Sequence, residues 1–155
     1  MAVRSKTQVT ALVLRLCLGG LFVYTGAEKL LRLDDFTRDV ANYRMVLPPW
    51  DAVVAYAVPC FELAAGACLV LGVLTPGALV VAGGLTLAFM VGTGQAWYFG
   101  LNINCGCFGP SDKPSLFPLH MLLLAAMLAV IVFLSVADRL ERSHVFGGRR
   151  LKLPG

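Results

Sequence analysis

Charge is what this chain has least of. Asp, Glu, Lys and Arg make up 14% of its 155 residues and 58% are hydrophobic, for a mean hydropathy of +0.78, whereas a soluble domain carries roughly 25% charged residues. So few charges cannot clothe a water-facing surface, and an ordinary soluble domain is excluded. Internal repeats, low-complexity tracts and linkers are absent, so nothing argues for two domains. A basic stripe with interleaved aromatics is also missing, which sets nucleic-acid binding aside despite a net charge of +4. No small-x-small cleavage pattern follows the first apolar run, and Arg15 interrupts it, so this run reads as a helix and not as a cleaved leader. No soluble-cofactor motif and no Cys/His cluster in the cytoplasmic segments is visible, and no metal site is assigned.

What is present is four apolar runs of spanning length, over 9–31, 52–74, 77–101 and 117–137. At a 1.5 Å rise, about 20 helical residues cross the hydrocarbon core. The sequence therefore predicts an all-α polytopic membrane protein: a single four-helix transmembrane bundle over 1–155 with a basic tail at 138–155. Between the first two runs, Asp34 and Asp35 precede Phe36, Val40, Tyr43 and Leu47 at helical spacing, before Pro48-Pro49. This predicts a short amphipathic helix on the outer face, either covering the mouth of the bundle or anchoring it at the interface. Trp50, Trp97 and Tyr98 mark the outer boundary.

Lys and Arg set the orientation. Arg4, Lys6, Arg139, Arg142, Arg149, Arg150 and Lys152 flank the termini, against Lys29, Arg32, Arg38, Arg44 and Lys113 in the first and third connections. This bias predicts both termini in the cytoplasm, with the basic tail, including a solvated His144, beside anionic lipid.

The third connection then faces outside, and it holds Cys105-Gly106-Cys107-Phe108-Gly109-Pro110. Two thiols one residue apart close a disulfide only through a small strained ring, which the freedom of Gly106 assists. A strained, accessible disulfide is readily exchanged, and an oxidising compartment keeps such a pair cycling. The alternative reading is a fixed clip in an outside loop. Asn102 and Asn104 supply turn geometry just before the thiols.

Inside the spans, Arg15 and Glu62 carry charge into lipid, which predicts an ion pair between the first two helices, or else a proton or quinone site. Lys29 and Glu28, at the outer end of the first span, are placed to snorkel or to meet the thiol loop. Pro59 predicts a local opening in the second span, with Cys60 directly after it. Cys17, Cys60 and Cys68 read as buried cysteines, and Gly19, Gly20, Gly66, Gly83, Gly84 and Gly92 as close-packing positions. His120, one turn into the fourth span on the thiol side, is placed to favour a thiolate, to bond a quinone carbonyl, or to sit as a polar residue near a helix end. His120 and Cys60 are accordingly the candidate contacts for a lipid quinone.

Several segments together resemble one family: Arg15 with Gly19-Gly20-Leu21-Phe22, Tyr24-Thr25-Gly26-Ala27-Glu28-Lys29-Leu30, Tyr43-Arg44-Met45-Val46-Leu47-Pro48, Phe61-Glu62-Leu63-Ala64-Ala65-Gly66, Leu71-Gly72-Val73-Leu74-Thr75, and Cys105-Gly106-Cys107-Phe108-Gly109. The chain resembles the MauE branch of the DoxX-like membrane proteins from about Arg15 to the end of the fourth helix. The resemblance implies a multi-pass protein of a bacterial inner membrane, acting with a periplasmic or extracellular thioredoxin-like protein in maturing extracytoplasmic proteins, methylamine dehydrogenase among them. It implies that Cys105 and Cys107 are the exchanging thiols, Glu62 the second-helix carboxylate, and Arg15 and Lys29 the first-helix basic positions. Two further readings stand beside it: soft-metal (copper or mercury) transport through Cys105, Cys107, His120, Met121 or Met90 and the buried cysteines, and a non-catalytic assembly subunit.

Overall fold

The computed structural model describes the backbone over residues 2–42, 49–99 and 117–149, and the side chains over 8–42, 49–99 and 118–140. Cys105, Cys107, Asn102, Asn104, Lys113, Arg44, Tyr43 and Leu47 lie outside the described residues, as do the side chains of Arg4, Lys6 and His144. The described chain is helical, in the order α1 (Ala2–Leu31), α2 (Leu33–Asn42), α3 (Trp50–Leu71), α4 (Thr75–Tyr98) and α5 (Phe117–Arg149). Four of these, over Gln8–Leu31, Trp50–Leu71, Thr75–Tyr98 and Pro118–Leu140, are long and apolar enough to cross a membrane. The protein is an all-α polytopic membrane protein.

The limits of the spans follow from local chemistry. Gly72 takes the left-handed conformation (φ 72°) and ends α3, its N–H and that of Val73 both turning back to the Cys68 carbonyl. Pro76 then falls in the first turn of α4, where a missing N–H costs nothing. The reversal is therefore at 72–74, earlier than the break at 75–76 between the second and third apolar runs, and α4 ends at Tyr98, before the expected 101. Helix α5 continues through much of the basic tail to Arg149. Thr86 and Ser135 hydroxyls donate to the carbonyls of Ala82 and Ile131 at 2.8 Å, satisfying themselves within their own helices as a lipid environment requires.

The spans form a closed ring, α1 against α3, α3 against α4, α4 against α5, and α5 back against α1. The α1–α3 seam is by far the most intimate and the α5–α1 seam the sparsest. Close approach at α1–α3 depends on three glycines. A methyl group on Gly19 would lie 3.0 Å from the Gly66 carbonyl, one on Gly66 2.8 Å from the Val23 amide, and one on Gly26 3.0 Å from the Pro59 carbonyl. Gly20 and Gly84 meet nothing within 4 Å, so they are not packing glycines, contrary to expectation, and Gly83 makes only an ordinary contact with Ile131.

Along the bundle axis the interior changes character. Leu18, Phe22, Leu69, Ala78, Leu79, Ala82, Ile131 and Leu134, drawn from all four spans, form a dry apolar core toward the end that holds the α3–α4 turn. The other end, where α3 begins and α4 stops, carries exposed Trp50, Trp97 and Tyr98. This matches the expected aromatic boundary. The predicted amphipathic helix is α2. It leaves α1 at Arg32 with hydrogen bonding continued through Arg32 N–H to Glu28 and Phe36 N–H to Arg32, and it packs on α3 with Phe36 buried.

Candidate functional site

Beneath α2 lies a buried ion pair. Lys29 Nζ donates to both carboxylate oxygens of Glu62, at 2.8 and 2.9 Å, and the two residues are 4% and 2% exposed. The ammonium also lies 4.9 Å from the centre of the Phe89 ring and 5.7 Å from that of Phe36, so α1, α2, α3 and α4 all meet it. Beside the pair is a cavity of about 20 Å³ lined by Phe22, Thr25, Phe89, Leu124 and Met127 together with the two charges. That is room for one water molecule.

The pairing corrects the expected Arg15–Glu62 bridge. Helices α1 and α3 run antiparallel, with Gly19 against Gly66 and Gly26 against Pro59 and Glu62. This register places Lys29 level with Glu62 and Arg15 level with Gly72, where a methyl group on the glycine would lie 3.2 Å from Arg15 Nη2. Ten helical residues separate Gly72 from Glu62, about 15 Å along α3. Arg15 therefore cannot reach the carboxylate. Nor does Lys29 snorkel: α2 covers the end of its helix, and the side chain turns inward. The signal was present in the sequence, because Gly19, Gly26 and Lys29 recur at intervals of seven and three and share one helix face, as do Pro59, Glu62, Gly66 and Leu69.

The remaining predicted residues do not join this site. Pro59 is buried within a helix that is continuous across it, and Cys60, the next residue and about 100° further round the helix, is exposed. Cys17 is likewise exposed and Cys68 half-buried against the apolar core, so the expectation that all three are buried fails for the first two. A helix hidden from lipid on every side is uncommon in a bundle of four, and these cysteines sit on outward faces. His120 is partly buried near the start of α5 and does not line the cavity. Neither Cys60 nor His120 lines the cavity at the ion pair. The cavity at the pair is far smaller than the roughly 150 Å³ core cavity that takes up a benzene molecule, so a quinone ring does not fit there. Among the described residues no three His, Cys, Asp or Glu side chains are placed to hold a metal ion. Glu28, beside Lys29, keeps one carboxylate oxygen buried without a hydrogen-bond partner.

The thiols lie beyond the described residues, but the helices that flank them do not. The connection between Tyr98 and Phe117 leaves and re-enters the bundle at the end where the ion pair sits, with Leu124 about 10 Å and Phe89 about 14 Å below those helix ends. The charged half of the bundle is thus the half that carries the Cys-Gly-Cys connection. No curated protein and no solved structure matches the chain. Residues 7–138, from the first span through the thiol connection to the end of the last, match the family model of the methylamine utilisation protein MauE, and the chain belongs to that family.

Proposed function

We propose that this protein is the membrane component of a thiol–disulfide exchange system serving extracytoplasmic proteins, in a setting of methylamine utilisation, and that it shares the wider DoxX-like descent of its family. The observation that carries the reading is Cys105-Gly106-Cys107 in the one connection between α4 and α5, within a chain of the MauE family. A thiolate of Cys105 or Cys107 attacks one sulfur of a disulfide on a thioredoxin-like partner, forming a mixed disulfide and releasing the partner's other sulfur as a thiol. The second cysteine of the pair then attacks the mixed disulfide, leaving Cys105–Cys107 oxidised and the partner reduced by two electrons; the reverse sequence oxidises the partner. The lipid bilayer is the protein's solvent, both termini face the cytoplasm of a bacterial inner membrane, and the thiols face outside. Lys29 and Glu62 have a positioning role. By clamping α1 to α3 under α2 they fix the end of the bundle from which the thiol connection springs.

The test is capture of the mixed disulfide. Cys105→Ser and Cys107→Ser variants, alkylated in acid and separated without reductant, are expected to show that one of the two accumulates a partner adduct that collapses on reduction. A normal, reductant-insensitive partner complex from both variants would defeat the proposal.

A further inference from the structure

Among the described residues Arg15 has no counter-charge. Its Nε is buried without a hydrogen-bond partner, and the ion pairs among the described residues, Lys29–Glu62 and Arg38–Asp35, do not include it. The sequence explains why: no acidic residue precedes Glu28, and none lies between Glu62 and Asp112, so the first half of α1, the end of α3 and all of α4 are free of carboxylates. Of the acidic residues on α5 toward the same end, Asp138 has interactions of its own, and the side chain of Glu141 lies outside the described residues. An arginine does not shed its proton, so the charge must be met by something.

The geometry indicates where. Arg15 lies within the first candidate span, level with the turn that ends α3, and its guanidinium lies against that turn, with Nη2, Nη1 and Cζ 3.2, 3.4 and 3.5 Å from the position a methyl group on Gly72 would take. Gly72 therefore serves two purposes: its positive φ closes the helix, and its bare Cα leaves room for the guanidinium. The turn lies just past the end of one candidate span and just before the next, which for spans of this length is where the chain would meet the bilayer boundary. A guanidinium presents a rigid fork of donors that suits a phosphate in two-pronged fashion. The adjoining first turn of α4, entered through Leu74 with no side-chain cap, adds the positive end of a helix dipole.

We infer that Arg15, laid across the Gly72 turn, is a binding site for a phosphate group, presented by an anionic phospholipid at the bilayer boundary. The experiment measures retained lipid. Protein in mild detergent is incubated with phosphatidylglycerol, with phosphatidylcholine of the same chains, or with inorganic phosphate, and then washed in about 0.5 M salt so that lipid held only by the exposed basic tail is screened away. Wild type is expected to keep phosphatidylglycerol about tenfold better than phosphatidylcholine, Arg15→Gln to lose that preference, and Arg15→Lys to fall between them, a point charge replacing the fork. Undiminished retention in folded Arg15→Gln overturns the site and leaves Arg15 as a cap on α3. Displacement of the lipid by inorganic phosphate overturns the lipid as its source. Should Arg15→Gln not fold, equal retention of the two lipids by wild type, or full retention by Arg15→Lys, overturns it as well.

Discussion

Lys29 and Glu62 would each be expensive alone in a bilayer, and together they are held by two short hydrogen bonds under an aromatic lid. The energetic consequence is asymmetric. Replacing the pair by apolar side chains of similar size removes attraction and desolvation together, whereas removing one partner strands the other. Lys29→Met is expected to destabilise the protein by about 3–5 kcal/mol, and the double variant Lys29→Met/Glu62→Leu to recover most of that loss. Thermal unfolding in detergent measures both; a double variant no better than the single would mean that the charges themselves, and not the stranded carboxylate, hold the site. That Glu62 and Lys29 matter was legible in the sequence, since charged residues in apolar runs announce themselves. Which base meets the acid was not legible from depth alone, because depth along a helix says nothing about the register of its neighbour. Glycine spacing held that information, and Gly26, three residues before Lys29, was the clue.

Among the elements, α1 and α3 form the most tightly joined pair, and their contact relies on small residues because lipid offers no hydrophobic drive for helices to associate. The glycines divide sharply by what surrounds them. Gly66→Ala inserts a methyl group 2.8 Å from two backbone atoms of α1 and is expected to cost about 1–3 kcal/mol, while Gly20→Ala and Gly84→Ala, which meet nothing, should be neutral or mildly stabilising through helix propensity. Unfolding midpoints of the three variants decide it, and equal effects would mean the seam is not close-packed. Composition revealed that glycines were frequent in the spans but not which ones face a neighbour, since outward and inward faces are both apolar in lipid. The exposed Cys17 and Cys60 were misread for the same reason. The amphipathic α2, by contrast, was visible from Asp34, Asp35, Phe36 and Val40, because there water and lipid do impose opposite faces.

For the molecule as a whole, four candidate spans make a multi-pass membrane protein, and the proposed topology, with both termini in the cytoplasm and Cys105 and Cys107 outside, is open to direct test. A membrane-impermeant maleimide applied to intact cells is expected to label wild-type protein only after mild reduction, and not to label a Cys105→Ser/Cys107→Ser double variant, whose remaining cysteines lie in the spans. Labelling that requires opened cells would reverse the orientation. The four-span architecture was readable because run length and hydropathy alone determine it; the division of the interior into a dry half and a charged half was not, since it arises only when four helices are set side by side.

The intimate α1–α3 seam also bears on how the chain enters the membrane during synthesis. Both members of the buried pair have been translated by Glu62, and no further charge of either sign follows until Asp112. When the second span emerges from the ribosome, the ammonium that neutralises its carboxylate is already waiting on the first. The opening hairpin can thus partition into lipid with its Lys29–Glu62 charges already neutralised against each other and only Arg15, beside the Gly72 turn, left over, and the third span is released against it with no charge of its own to accommodate.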